Sequence, residues 1–316
     1  MTVIGYKLSS EEHAPRELIA NGRRAEEVGF SFAAISDHYH PWIDRQGHSP
    51  FVWSVLGGLA TVTERIQLGT FVTCPLIRIH PAVVAHAAGT VAAMLPGRFF
   101  LGVGTGENLN EHVLGDRWPP SAIRRDMLEE AVTVIRRLWE GGSRSHHGRF
   151  YTVENARLYD LPDRPAPIFV AASGGKSAEL AAKIGDGLIA VAPKPELIET
   201  FEKAGGKGPR YAEVSVCWDH DEGKARQTAY EWWPNFALKG ELGQELATPA
   251  HFEQASEMVS EDDVAEIVAC GPDPDRHLEE INKFVDAGYD HVCVHQIGPD
   301  QEGFLAFYER DVLPRL

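Results

Sequence analysis

Short apolar runs alternate with amphipathic stretches along almost the whole chain, which is the pattern of repeated strand-helix units and of a parallel sheet. The runs predict strands near residues 4–8, 32–35, 66–71, 99–103, 168–171, 188–191, 213–218 and 291–295, the eight that a closed barrel needs. Between them, residues 15–28, 81–94, 127–139, 176–184 and 276–287 carry helical periodicity, and several of these stretches open on Pro or acidic residues and end in Gly. That punctuation favours a (β/α)8 TIM barrel over an open doubly wound sheet, with residues 1–316 as one domain. Two insertions break the rhythm. Residues 143–160 read as a hairpin and residues 228–260 as an aromatic helical segment, both expected over the carboxyl-terminal face.

In such a barrel the residues just after each strand form the catalytic face. They are Glu11 after the first strand, Asp37, His38 and Trp42 after the second, and Phe71, Val72 and Cys74 around the third. Gly104, Gly106, Glu107 and Asn110 follow the fourth, Ser173, Gly174, Gly175 and Lys176 the fifth, Val191 and Lys194 the sixth, Trp218 the seventh, and His295 and Gln296 the eighth. Asp37-His38-Tyr39-His40-Pro41-Trp42 is the densest of these. A His and a Trp on a Pro-stiffened loop supply a proton acceptor beside a rigid aromatic wall, which suits hydride removal from an alcohol; the plainer reading is a polar turn with its Trp in the core.

Charge narrows the partners. With 46 acidic against 30 basic residues and a formal charge of −16, a surface that tracks nucleic-acid phosphates is disfavoured, and a small-molecule partner is expected. The four cysteines, Cys74, Cys217, Cys270 and Cys293, show no CxxC spacing and fit a reducing cytoplasm. The first residues lack the basic and long apolar regions of a signal peptide, and no apolar run is long enough to span a bilayer, so a soluble cytoplasmic protein without a membrane partner is expected.

Three motifs admit more than one reading. Gly102-Val103-Gly104-Thr105-Gly106 departs from the dinucleotide fingerprint in its third Gly; it either lets backbone approach a flat ring or only makes a tight turn. Gly174-Gly175-Lys176-Ser177 resembles the end of a phosphate loop, but Val170 stands where the first Gly belongs, leaving an anion-binding helix start or a bare one. His38-Tyr39-His40 has the H-x-H spacing of metal-dependent barrel hydrolases without the further ligands, so no metal is expected. His146-His147 reads as solvated, and the Trp232-Trp233 pair as an anchor of the insertion or a pocket wall.

Together Gly5-Tyr6-Lys7 with Glu11 and Ala14-Pro15-Arg16-Glu17, Ser36-Asp37-His38 with Pro41-Trp42, and residues 101–107 with Leu109-Asn110-Glu111 resemble the luciferase-like family of (β/α)8 flavin and deazaflavin oxidoreductases. The chain is most similar to the deazaflavin-dependent branch typified by glucose-6-phosphate dehydrogenases using coenzyme F420. The resemblance implies that Asp37, Phe71, Val72, Gly106, Glu107, Asn110, Ser173, Gly174, Gly175 and Val191 hold the deazaflavin, with a cis peptide between Phe71 and Val72. It implies that His38 accepts or stabilises the alcohol proton, Trp42 positions the reacting centre, Glu107 serves ring protonation and Glu11 orients the substrate. It also implies a homodimer, and substrate contacts from Lys194, Gln244 and Trp232.

The sugar-phosphate enzymes grip phosphate with three basic side chains. Here Lys194 matches one, while Gly243 and Ile267 stand at the others. Each lost charge-assisted hydrogen bond is worth about 1.5–3 kcal/mol, which favours a non-phosphorylated secondary alcohol or its ketone, resting against Trp218, Trp232 or Trp233. Alternatives are a sugar-6-phosphate dehydrogenase, an FMN-dependent monooxygenase of the same superfamily, or a barrel that only carries the deazaflavin.

Overall fold

The computed structural model describes residues 2–316. Strands β1 (Val3–Leu8), β2 (Phe32–Ile35), β3 (Gln67–Thr70) and β4 (Phe99–Val103) are laid side by side in chain order, each parallel to the last. β5 (Arg144–His147) and β6 (Thr152–Ala156) form the antiparallel hairpin. The barrel resumes with β7 (Ile168–Ala171), β8 (Gly187–Ala190) and β9 (Arg210–Cys217), and after the two-residue β10 (Ala269–Cys270) it ends with β11 (His291–Gln296). β11 lies between β9 and β1, and β8 pairs with β9, so eight parallel strands close into a (β/α)8 barrel.

Closure requires each strand to bury both faces. Outward residues such as Ile4, Leu68, Leu101 and Val292 meet the surrounding helices in one continuous core. Inward residues Phe32, Phe100, Phe169 and Tyr211 fill the barrel, with Tyr211 stacked on Phe169 at 4.8 Å between ring centroids and edge-on to Phe32 at 5.1 Å. Each ring removed from water contributes about 1.5–3 kcal/mol. The rings fit because glycines oppose them: a Cβ on Gly5 or Gly69 would sit 2.3 or 2.2 Å from carbons of Phe32 and Phe100.

Helices start and stop where the side chains dictate. Pro15–Val28 opens on Pro, has the Glu17 carboxylate accepting from Ala14 N at 2.9 Å, and ends at Gly29 with φ +109°. The helix read from residue 127 is Ser121–Trp139; its polar first turns hide Arg124, which is buried. β9 begins at Arg210, earlier than the apolar run suggests, because that guanidinium is paired with Asp290 and Glu202. The second insertion turns helical at Glu222–Trp232, before residue 228, and continues through Pro249–Ser256 and Glu261–Ala265. It packs on the carboxyl ends of the strands: Phe252 meets Trp42 edge-on at 5.1 Å, and Asn108 Nδ2 donates to Glu245 O at 3.0 Å. In the hairpin, His146 is half-buried and 3.2 Å from Glu130 Oε1, not solvated, while His147 is exposed. All four cysteines are free and buried. Among the described residues no helix is long and apolar enough to cross a membrane.

Candidate active site

The turn after β1 carries Ser9, Ser10, Glu11 and Glu12 into the barrel mouth, all buried. Beside it the turn after β2 carries Ser36, Asp37 and His38. Glu11 Oε2 accepts from Ser36 Oγ at 2.6 Å and from Ser9 Oγ at 3.1 Å. Its other oxygen lies 3.3 Å from His38 Nδ1, close enough for an ion pair but angled away from a hydrogen bond, so Nδ1 is buried without a hydrogen-bond partner. Burial opposes the Glu11 charge, but His38, Lys7 and the Ser36 hydroxyl outweigh it and hold the carboxyl below the usual range.

Trp42 forms the wall beside His38, edge-on at 5.0 Å between ring centroids. Its own back is apolar, against Phe252, Ile43, Leu109, Leu238 and Leu246. Two buried amides hold the loop. Gln46 Oε1 accepts from Trp42 N at 2.8 Å while its Nε2 donates to Trp232 O at 2.9 Å. Asn110 Oδ1 accepts from Tyr39 N at 2.8 Å and His40 N at 3.2 Å, leaving Nδ2 buried and unpartnered. Asp37 turns inward, taking Arg78 Nη2 at 2.9 Å and Thr73 Oγ1 at 2.8 Å, and Glu111 holds the same guanidinium at 3.5 Å.

Across the mouth, the Phe71-Val72 peptide is cis, and Gly104 passes close to the Val72 side chain. A Cβ on Gly104 would lie 2.7 Å from Val72 Cγ2, and Gly106, at φ +71°, would meet Cys74 Sγ at 2.5 Å. Glu107 is half-buried at the start of Asn108–Glu111. Ser173, Gly174 and Gly175 are exposed, nothing lies near the Cβ positions of the two glycines, and no side chain caps the helix Gly175–Ile184 that they open. Val191 is 68% exposed, unusual for an apolar residue at a strand end.

Of the three substrate candidates, Trp232 is tied to the Trp42 loop through its carbonyl oxygen, which accepts from Gln46 Nε2. Lys194 is exposed at the start of Pro195–Lys203, Gln244 Oε1 accepts from Arg124 Nη2 at 3.0 Å, and the Trp232 ring lies under the Arg45 guanidinium at 5.7 Å. Trp233, not Trp232, anchors the insertion, donating its indole N–H to Glu12. No group of His, Cys, Asp or Glu among the described residues has a metal-binding arrangement. Two surface hollows, one lined by Phe201, Lys207 and Asp290 and one by Thr2, Asp275 and Arg315, open at the amino ends of the strands, away from this chemistry.

Several charged residues escape a reading of strand ends. Lys7 lies inside β1, donating to Glu213 Oε2 of β9 at 2.7 Å and to Phe71 O at 3.1 Å. Burial works against its charge, but Glu213 and Glu11 lift it above the usual lysine range. The signal for both was a charged residue inside an otherwise apolar strand. Gln46, a neutral side chain closing the single 3-10 turn Asp44–Gln46, and Arg78, in a loop, carry no comparable signal.

The chain matches the luciferase-like monooxygenase family over residues 1–291. It is 38% identical over 325 residues to a protein of Microbacterium testaceum (strain StLB037) named F420-dependent glucose-6-phosphate dehydrogenase, covering 99% of this chain and 96% of that protein. A protein of the same name from Intrasporangium calvum is 38% identical over 332 residues, covering 100% and 99%. A solved structure described as an F420-dependent secondary alcohol dehydrogenase in complex with an F420-acetone adduct superposes with a TM-score of 0.92 at 31% identity, covering 99% of this chain and 98% of that one.

Proposed function

The chain belongs to the luciferase-like monooxygenase family, and on that premise we propose that it is an F420-dependent oxidoreductase interconverting a non-phosphorylated secondary alcohol and its ketone. The dependence on F420 follows from its relatives, and the residues present fit a deazaflavin. Gly104 leaves backbone close behind the Val72 side chain and Gly106 close to Cys74, and a Cβ at either would intrude. The exposed Val191 offers apolar surface, the buried Asn110 Nδ2 is a donor without a partner, and the uncapped N-terminus of Gly175–Ile184 suits a phosphate. Val72, Gly106, Glu107, Asn110, Ser173, Gly174, Gly175 and Val191 would hold the group. Asp37, bound to Arg78 and Thr73, would act by fixing the loop that carries His38. Phe71 would support the ring from beneath, with its carbonyl oxygen accepting from Lys7.

When bound, the deazaflavin exchanges a hydride at C5 and does not activate oxygen. His38 takes the hydroxyl proton as that exchange proceeds, and Glu11 3.3 Å from Nδ1 stabilises the resulting imidazolium. Trp42 excludes water and fixes the carbinol carbon, and Glu107 stands ready for a proton at the ring.

The observation that carries the alcohol assignment is the lack of a basic side chain at two of the three positions that would grip a phosphate dianion, where Gly243 and Ile267 stand. Of the basic positions only Lys194 remains, exposed at the rim. Equilibrium fluorescence titrations with F420 and with FMN test the cofactor side. Tight F420 binding with weak FMN binding supports the reading; tight FMN binding and oxygen consumption would move the protein to the monooxygenase branch.

A further inference from the structure

Arg124 stands in the first turn of the helix Ser121–Trp139 and is 1% exposed. A buried cation in that place opposes the helix dipole and gives up its hydration, so its own helix does not account for it. The guanidinium lies over the Trp118 ring at 4.1 Å, and Nη1 donates to Pro119 O at 2.7 Å. Its other bonds cross to the second insertion: Nη1 lies 3.3 Å from Glu245 Oε1, and Nη2 donates to Gln244 Oε1 at 3.0 Å. Two neighbours reinforce the same grip. Trp118 Nε1 donates to Glu245 Oε1 at 3.2 Å, and Asn108 Nδ2 to Glu245 O at 3.0 Å.

The gripped residues close the short helix Leu242–Glu245, whose own packing is sparse. Leu242 is exposed, nothing lies near the Cβ position of Gly243, and Gly240 just before has φ +75°. The next residue along, Leu246, enters the apolar cluster of Leu109, Leu238 and Phe252 that backs Trp42. Clamp and wall are therefore consecutive in the chain. Where residues 244 and 245 are held decides where Leu246 stands, and with it the packing behind Trp42. A lysine would not serve in the same way, because a single ammonium lacks the planar fork that meets Trp118, Gln244 and Glu245 together.

We propose that Arg124 is a positioning residue for the reaction: it holds the second insertion across the barrel mouth and, through Leu246 and Phe252, sets the place of Trp42. Its hydrogen bonds reach no residue assigned to the cofactor or to proton transfer. Its effect therefore falls on how the alcohol is held and not on the hydride step. Gln244, expected from the sequence to touch substrate, has its side-chain oxygen engaged in this clamp instead. The proposal rests on Trp42 as the wall of an alcohol site, but the clamp itself is open to measurement without alcohol or cofactor.

The first measurement is fluorine NMR of the cofactor-free protein labelled with fluorotryptophan, the Trp42 signal being assigned by its loss in Trp42→Phe. Arg124→Lys is expected to shift or broaden the Trp42 signal. The signal of Trp139, at the far end of the same helix and bonded to Ala85 O, should stay in place. The double variant Gln244→Ala/Glu245→Ala, which keeps Arg124 and removes its partners on the insertion, is expected to do the same. The second measurement is steady-state kinetics with F420 and 2-propanol. KM for the alcohol should rise at least about fivefold in both variants with kcat within about twofold, and combining all three substitutions should add less than about twofold. A lowered melting temperature with the Trp42 signal, KM and kcat unchanged would make Arg124 a structural residue only and overturn the proposal. A KM raised in Gln244→Ala/Glu245→Ala but not in Arg124→Lys would return Gln244 to the substrate and overturn it as well. Absence of turnover with any alcohol refutes the alcohol reading instead, and the fluorine signals then decide the clamp alone.

Discussion

His38 Nδ1 faces Glu11 Oε1 across 3.3 Å without a hydrogen bond, so the imidazole has a carboxylate neighbour that does not fix its ring. That relation assigns the two residues different work. Under the proposed function the acid stabilises charge and the imidazole exchanges the proton.

Replacing His38 with Ala is expected to lower kcat by about 100-fold to 10,000-fold, the range of a lost general base. F420 affinity should change by less than about threefold, a small energy on the affinity scale. Stopped-flow absorbance and fluorescence titration measure the two, and an unchanged kcat would remove His38 from its role.

Glu11→Gln removes the partner of the imidazolium. Turnover should fall mainly through kcat, because the lost interaction is strongest once His38 is charged. The variant also alters acid stability. Glu11 is held below the usual carboxylate range, so its contribution is present above the unfolded value and is lost as pH falls through the folded one. Urea midpoints of the wild type should therefore fall below about pH 4 more steeply than those of the variant.

Gln46 ties two elements together. In Gln46→Ala the Trp42 N–H and the Trp232 carbonyl both lose a buried partner, at a cost of about 1–3 kcal/mol. Trp42 loses its fixed position, so KM for the alcohol should rise more than kcat falls. Thermal unfolding and steady-state kinetics measure both.

His277, far from the site, sets part of the acid limit. Its Nε2 lies 3.0 Å from Gly271 O and its Nδ1 3.1 Å from the Tyr308 hydroxyl, an arrangement met by the neutral ring with Nε2 as donor and Nδ1 as acceptor. Burial, the largest influence, pulls its pKa down to about 4. The unfolded chain therefore takes up a proton first, and stability present above about pH 6.5 is lost as pH falls towards 4. The loss amounts to about 3 kcal/mol, and His277→Gln should flatten the pH dependence of the unfolding free energy across that window.

The barrel was legible in the sequence because each strand buries both faces and so reads as an apolar run. Phe32–Ile35 and Phe99–Val103 stand where the pattern put them. β10 was not legible, since two residues make no pattern, and β9 was read short because its first residue is a paired Arg. Glu11, His38 and Trp42, read as candidates because they follow strands, do lie together in space. Asn110 was also found, although its visible work is to clamp the backbone of residues 39 and 40. Lys7 and Glu213 are 206 residues apart and meet only because β11 brings β1 and β9 to either side of itself in the barrel. Glu12 accepts from Trp233, which a linear reading does not bring beside it.

The most direct measurement compares kcat/KM for 2-propanol, cyclohexanol and glucose 6-phosphate under anaerobic conditions, following loss of F420 absorbance. The loss of two of the three phosphate-gripping basic side chains, at Gly243 and Ile267, predicts that a non-phosphorylated secondary alcohol is oxidised with kcat/KM at least about tenfold above that of the sugar phosphate, a difference of about 1.4 kcal/mol. Faster turnover of glucose 6-phosphate would contradict it and assign this chain the activity named for its relatives.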